Sequence, residues 1–221
     1  MTPEPRPVIR KDVLAFENHC VRLCGSWVHY QTLFNGSDLK RELLKTTAET
    51  FFGDLNLMLI EHLILQVCKL TDPESTAGKR NLTVEFLMRN ADFSESRRKL
   101  SKLKKIAARM DAFRKRILPA RNKRISHFDL DTAHARKSLG GASIAAWQRF
   151  WRDLEAFVAI MHETYVDPRH PFLLTQVGRS SDADQLVKAM KESTYFRTLL
   201  NDDALAGKVA NVAFQSKYHE A

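Results

Sequence analysis

Apolar residues return along this chain at intervals of three and four, the period of a helix packed on one side. Val13, Phe16, Cys20, Leu23, Cys24, Trp27 and Phe34 keep that spacing and predict a first helix over residues 11–34, after a proline-bearing leader at 1–10. Asn35-Gly36-Ser37 reads as a turn, and Ser37 or Asp38 is placed to cap a long second helix over 38–70. In it Leu44, Ala48, Phe51, Leu55, Met58, His62 and Leu65 form one stripe, and Phe52, Leu59, Leu63 and Val67 widen it. That pattern predicts a helix buried from several directions, at the centre of a bundle or in a dimer seam. Thr71-Asp72-Pro73 stops it, and a polar loop follows to Arg80. Asn81 is placed to cap a short helix ending at Met88, and Asp92 with Glu95 makes a capping-box pattern ahead of the next. Leu100, Leu103, Ala107, Met110, Phe113 and Ile117 are the core stripe of that helix, which Pro119 is expected to break or kink. Ser143, after Gly140-Gly141, can cap a helix in which Trp147, Phe150, Trp151, Leu154, Phe157, Val158 and Met161 recur at helical spacing. Residues 166–180 read as loop, and Ser181 with Asp184 can open a short helix before a weakly apolar tail. With no strand, hairpin or repeat pattern, the expected fold class is all-α. Four to five main helices form a bundle over 11–165, and 166–221 is a short helical C-terminal extension.

Composition changes this picture little, and charge changes it more. The chain of 221 residues is 44% hydrophobic and 28% charged, as in a globular domain with a sizeable core. The greasiest run, 51–70, is broken by Asp54, Glu61, His62, Gln66 and Lys69, so a buried helix is expected there and no membrane span. The opening Met-Thr-Pro-Glu-Pro-Arg-Pro lacks the apolar core of a signal peptide. Cys20, Cys24 and Cys68 are too sparse for a disulfide framework, which points to a reducing cytoplasm. The net charge is +9, yet residues 97–124 hold thirteen Lys/Arg against Asp111 alone, so that stretch carries +12 and the remainder −3. A field of that sign concentrates a polyanion. A merely solvated helix face is the plain alternative.

The basic stretch runs into Arg121-Asn122-Lys123-Arg124-Ile125-Ser126-His127. These residue types combine what metal-free RNA cleavage needs. His127 titrates near neutral pH and can move a proton. Arg121 stays charged and can brace a phosphate in its transition state. Asn122 can hold a ribose or phosphate oxygen through its amide. Six residues of continuous helix would turn Arg121 and His127 about 120° apart. Aiming both at one phosphate therefore needs a kink or helix end inside the motif, or motifs converging from two chains. Lys102, Lys105, Arg109 and Arg116 lie largely off the core stripe and, with Lys123 and Arg124, are the candidate RNA-binding cations.

The motif resembles the Arg-x(4–6)-His signature of the HEPN superfamily, in its form with Asn directly after the Arg. Three segments, "SWVHYQTLF" (26–34), "TTAETFFGDLNLMLIEHLILQVCKLTDP" (46–73) and "RNKRISHFD" (121–129), are similar to the HEPN group linked to abortive-infection phage defence. The similarity covers roughly residues 10–165. It implies a HEPN-like helical bundle and a homodimer in which two motifs meet to cut single-stranded RNA without metal or cofactor. In that scheme Arg121, Asn122 and His127 are the catalytic residues, and an antitoxin or defence-system partner is a further expectation. Where HEPN toxins are silenced by a nucleotidyltransferase, a Tyr stands two residues after the His. Here it is Asp129, which puts that mode of control in doubt.

Other constellations are weaker. Cys20 and Cys24 with His19 invite a zinc reading, but no Cys-x-x-Cys pair exists and core cysteine is common. Asp129 and Asp131 could hold a divalent ion, although capping or orienting His127 is the simpler use. The stripe from Trp147 to Met161 is core rather than a base-stacking platform, and no glycine-rich phosphate loop is present. Two rivals to the nuclease stay open. One is a non-catalytic HEPN-like module that binds RNA or a protein through the basic helix. The other is a plain helical adaptor.

Overall fold

The computed structural model describes residues 7–122, 141–174 and 182–200. Among them are six helices and one minimal ladder: α1 (Arg10–Phe34), α2 (Asp38–Thr71), β1 (Ser75–Thr76), β2 (Lys79–Arg80), α3 (Val84–Asn90), α4 (Arg97–Ala120), α5 (Ile144–Tyr165) and α6 (Asp182–Leu200). The fold is all-α, in keeping with a HEPN-like bundle. The chain forms two compact units, residues 1–28 with 57–179, and residues 29–56 with 180–221.

The larger unit is built around α5. Its Leu154, Phe157, Val158 and Met161 are sealed from solvent. Trp27 of α1 stacks on Trp147 and Trp151 of α5, with ring centres 5.5 and 5.6 Å away. From α4, Phe113 lies 4.8 Å from Phe150. Each buried side chain of this size contributes about 1.5–3 kcal/mol relative to exposure. Helix starts follow side-chain chemistry. The hydroxyls of Thr83, Ser96 and Ser143 accept from the N–H groups of Phe86, Lys99 and Ala146, heading α3, α4 and α5. Two expected caps are thereby corrected. Asn81 instead donates to the Pro73 carbonyl and Thr76 Oγ1, tying down the loop after α2. Asp92 accepts from the Ser94 N–H in a local turn, and its own backbone is held by the Tyr165 hydroxyl.

The loop after α2 also holds strand pairing that the sequence pattern did not reveal, Ser75 opposite Arg80 and Thr76 opposite Lys79. Ala77 and Gly78 both have positive φ, 50° and 78°, as a two-residue hairpin turn with native twist requires.

The smaller unit buries Leu33, Leu43, Leu44 and Phe52 with Ala183, Val187 and Met190 of α6. Within α2, Ala48 leaves helical geometry (φ −164°, ψ 79°), joining two helical segments at a kink. The cause is local. Thr46 and Thr47 hydroxyls bond the Glu42 and Leu43 carbonyls just upstream, at 2.9 and 2.7 Å, in competition with the backbone ladder.

α2 is not buried from several directions. Leu63, Val67, Cys68 and Leu70 are inside, but Phe51 is 59%, Leu57 52% and Met58 57% exposed. The two stripes are therefore unequal: the residues expected to widen the face supply much of the core, and parts of the first stripe are open. Among the described helices α2 alone is long and apolar enough to cross a membrane, by length and composition.

Candidate functional site

The end of α4 carries the first half of the Arg–His motif. The helix does not break at Pro119. Proline cannot donate to the Lys115 carbonyl one turn back, yet helical geometry continues through it. The backbone of Arg121 is still helical, and its N–H reaches the carbonyls of Ile117 and Leu118. Arg121 therefore leaves the helix in a fixed direction. Its Nη1 donates to Asn122 Oδ1 at 2.8 Å, and its Nη2 lies 3.5 Å from Asp72 Oδ2. Nε is buried and has no hydrogen-bond partner among the described residues.

Asp72 is the residue that sequence reasoning missed. It sits at the stop of α2 and takes Arg114 as well, at 3.6 Å, so one carboxylate holds two arginines of the α4 segment. Arg114 also binds Asp111. Arg114 and Asp72 are mostly buried, whereas about a third of the Arg121 side chain is open. Arg121 is thus held by Asp72 and Asn122 with about a third of its side chain open, an arrangement that suits a preorganised cation. One turn upstream of Asp72, burial pushes the Cys68 thiol up to about 11, so it stays protonated beside this cluster. A cavity of about 530 Å³ adjoins it, bounded by Thr71, Pro73, Met88, Lys104, Ala107 and Arg114.

His127, Lys123 and Arg124 lie outside the described residues, as do Asp129 and Asp131. The remaining candidate cations follow one side of α4 at intervals of three, four and seven. Lys102, Lys105, Arg109 and Arg116 are all exposed there. Arg109 is not free. Its Nε lies 3.0 Å from both carboxylate oxygens of Asp153 on α5, and its Nη2 closes a further contact. That pairing raises the Arg109 pKa, the hydrogen bond to Asp153 being the main cause. Arg121, five residues beyond Arg116, is about 140° further round the helix.

Burial drives Cys20 well above the usual thiol range and Cys24 to about 11, which disfavours the thiolates that zinc needs. Among the described residues no three His, Cys, Asp or Glu side chains are grouped to hold an ion.

No curated protein and no solved structure matches the chain. The sequence model of one family, HEPN_AbiU2 (AbiU2), matches residues 9–167, from the start of α1 to the end of α5. That span is most of the chain and includes the Arg121–His127 segment, and it makes the protein a member of the AbiU2 family of HEPN domains.

Proposed function

We propose that the protein is a metal-independent endoribonuclease for single-stranded RNA, working as a cytoplasmic homodimer in abortive-infection phage defence or as a toxin-type effector. The observation that carries this reading is Arg121. It is held by Asp72 and Asn122 just past the end of α4, within the +12 stretch and six residues before His127, in a HEPN chain. In the reaction His127 takes the proton of a ribose 2′-hydroxyl. The 2′-oxygen bonds to the adjacent phosphorus while the bond to the 5′-oxygen breaks. A second His127, from the other protomer, protonates that leaving oxygen. Arg121 neutralises charge on the non-bridging oxygens, and Asn122 positions the substrate. The products are a 2′,3′-cyclic phosphate and a 5′-hydroxyl. The required 2′-hydroxyl restricts cleavage to RNA. An antitoxin or another defence component is the further partner this reading implies.

A specific observation favours a second reading. Arg121 is already paired with Asp72, as a purely structural arginine would be. In that case the protein is a non-catalytic RNA- or protein-binding module. Incubation of a mixed RNA in EDTA with wild-type protein and with His127→Ala separates the two. The nuclease reading expects cyclic-phosphate ends from the wild type and about 100- to 10,000-fold less cleavage from the variant. Equal activity in both, or none in either, leaves the module.

A further inference from the structure

Where α4 packs on α5, Ala112 and Ala146 are too small to fill the seam, and a depression of about 200 Å³ remains above Phe113 and Phe150. Three arginines line it: Arg109 and Arg116 from α4, and Arg149 from α5. The single carboxylate in the lining, Asp153, is committed to Arg109 through both of its oxygens. Arg116 and Arg149 have no partner among the described residues. The site therefore gathers three cations and one anion in a concavity with an apolar floor, where field lines concentrate. Two unpaired guanidiniums line one hollow, which is ample for a phosphate.

We propose that this seam is a phosphodiester-binding station for single-stranded RNA, with Arg116 and Arg149 as the groups that grip the phosphate and Arg109, locked by Asp153, as a fixed wall. Lys102 and Lys105 extend the same side of α4 and continue the path of the strand. Arg121 lies round the helix from the station, so the station holds the strand away from the candidate scissile phosphate. The inference rests on RNA being the ligand of the proposed function, but not on catalysis.

The test is fluorescence anisotropy with a labelled single-stranded RNA in EDTA, on full-length His127→Ala protein across a salt series. Added substitutions are Arg116→Gln, Arg149→Gln, and Ala112→Glu, which places a carboxylate at the hollow while keeping both arginines. Lys79→Gln, on the exposed hairpin, is the control for loss of one positive charge. For each arginine removed, the slope of log affinity against log salt should fall by about 0.7. Ala112→Glu should weaken binding likewise, and Lys79→Gln should change neither quantity. Inorganic phosphate and a mononucleotide, titrated separately, distinguish the strand from a free anion. If they bind tightly at Arg149 while RNA binding ignores the substitutions, the strand proposal is overturned. It is overturned too if wild-type protein cleaves RNA and Arg116→Gln and Arg149→Gln leave slope and affinity unchanged, an outcome that spares the nuclease. If no cleavage is ever seen but binding depends on both arginines, the station stands and the nuclease reading alone fails.

Discussion

Asp72 shows how much one side chain can decide at the candidate site. An arginine that meets a phosphate is useful when it is already aimed, since reaiming it costs rotamer freedom at the moment of reaction. Asp72 supplies the aim by holding Arg114 and Arg121 together. Replacing it by Asn keeps the shape and removes the charge. If Arg121 acts on phosphate, Asp72→Asn should lower kcat for RNA cleavage about 10- to 100-fold. Stability should also fall, by about 1–3 kcal/mol, because Asp72 and its second partner Arg114 are mostly buried. Asp72→Glu should restore part of the rate. A kcat unchanged in Asp72→Asn would make the pair purely structural; single-turnover cleavage and urea unfolding measure the two quantities. The motif itself was legible in the sequence because its residues are neighbours, and spacing alone brings Arg121 and Asn122 together. Asp72 was not, because a partner 49 residues upstream leaves no local pattern. Arg149 escaped for the same reason. It is one of several charges on a helix read for its apolar stripe, and only the α4–α5 packing sets it beside Arg116.

At the scale of elements, a polar contact joins α1 to α5 inside the core. Glu17, 3% exposed, lies 2.9 Å from His162 Nδ1, and His162 stacks on Phe172. Burial raises the Glu17 pKa above 4.5, and the opposing pull of His162 does not cancel it. The folded state then binds the proton more tightly than the unfolded chain, so this residue's contribution is greatest below its unfolded pKa and is lost as pH rises through the folded value. Glu17→Gln has no such proton. Relative to wild type it should gain stability as pH climbs above about 4.5 and level off once Glu17 is ionised, as read by urea unfolding from pH 4 to 8. A stability difference independent of pH would rule this linkage out. The helices themselves were readable because a 3.6-residue period survives any arrangement of neighbours. Their starts were less so. Ser96 and Thr83 cap where Asp92 and Asn81 were expected, because several polar residues precede each helix and the loop fold selects among them. Of the two settings expected for α2 the centre of a bundle fails within the chain and the dimer seam is untouched, since periodicity finds apolar faces without saying what covers them.

An uncovered apolar face is a question about the whole molecule. Leu57 and Met58 project from α2 with more than half their surface in water, and Ile64 and Leu65 are half-buried on the same helix. Isolated exposed apolar residues are ordinary, but several close together on one helix mark an association surface. A two-fold pairing of α2 with a second α2 would cover the patch with its own copy, the commonest closed arrangement for a soluble chain. It would also make cleavage second-order in protein below the dimer dissociation constant, because a site needing two His127 residues exists only in the dimer. Met58→Glu places a charge where water already reaches, so the monomer should keep its thermal midpoint within a few degrees. In sedimentation without detergent the variant should run as a monomer at concentrations where wild type is a dimer. Its specific cleavage rate at high concentration should match that of diluted wild type. A wild-type protein that sediments as a monomer throughout, with cleavage proportional to concentration, would remove the composite site and leave Arg121 and His127 to act within a single chain.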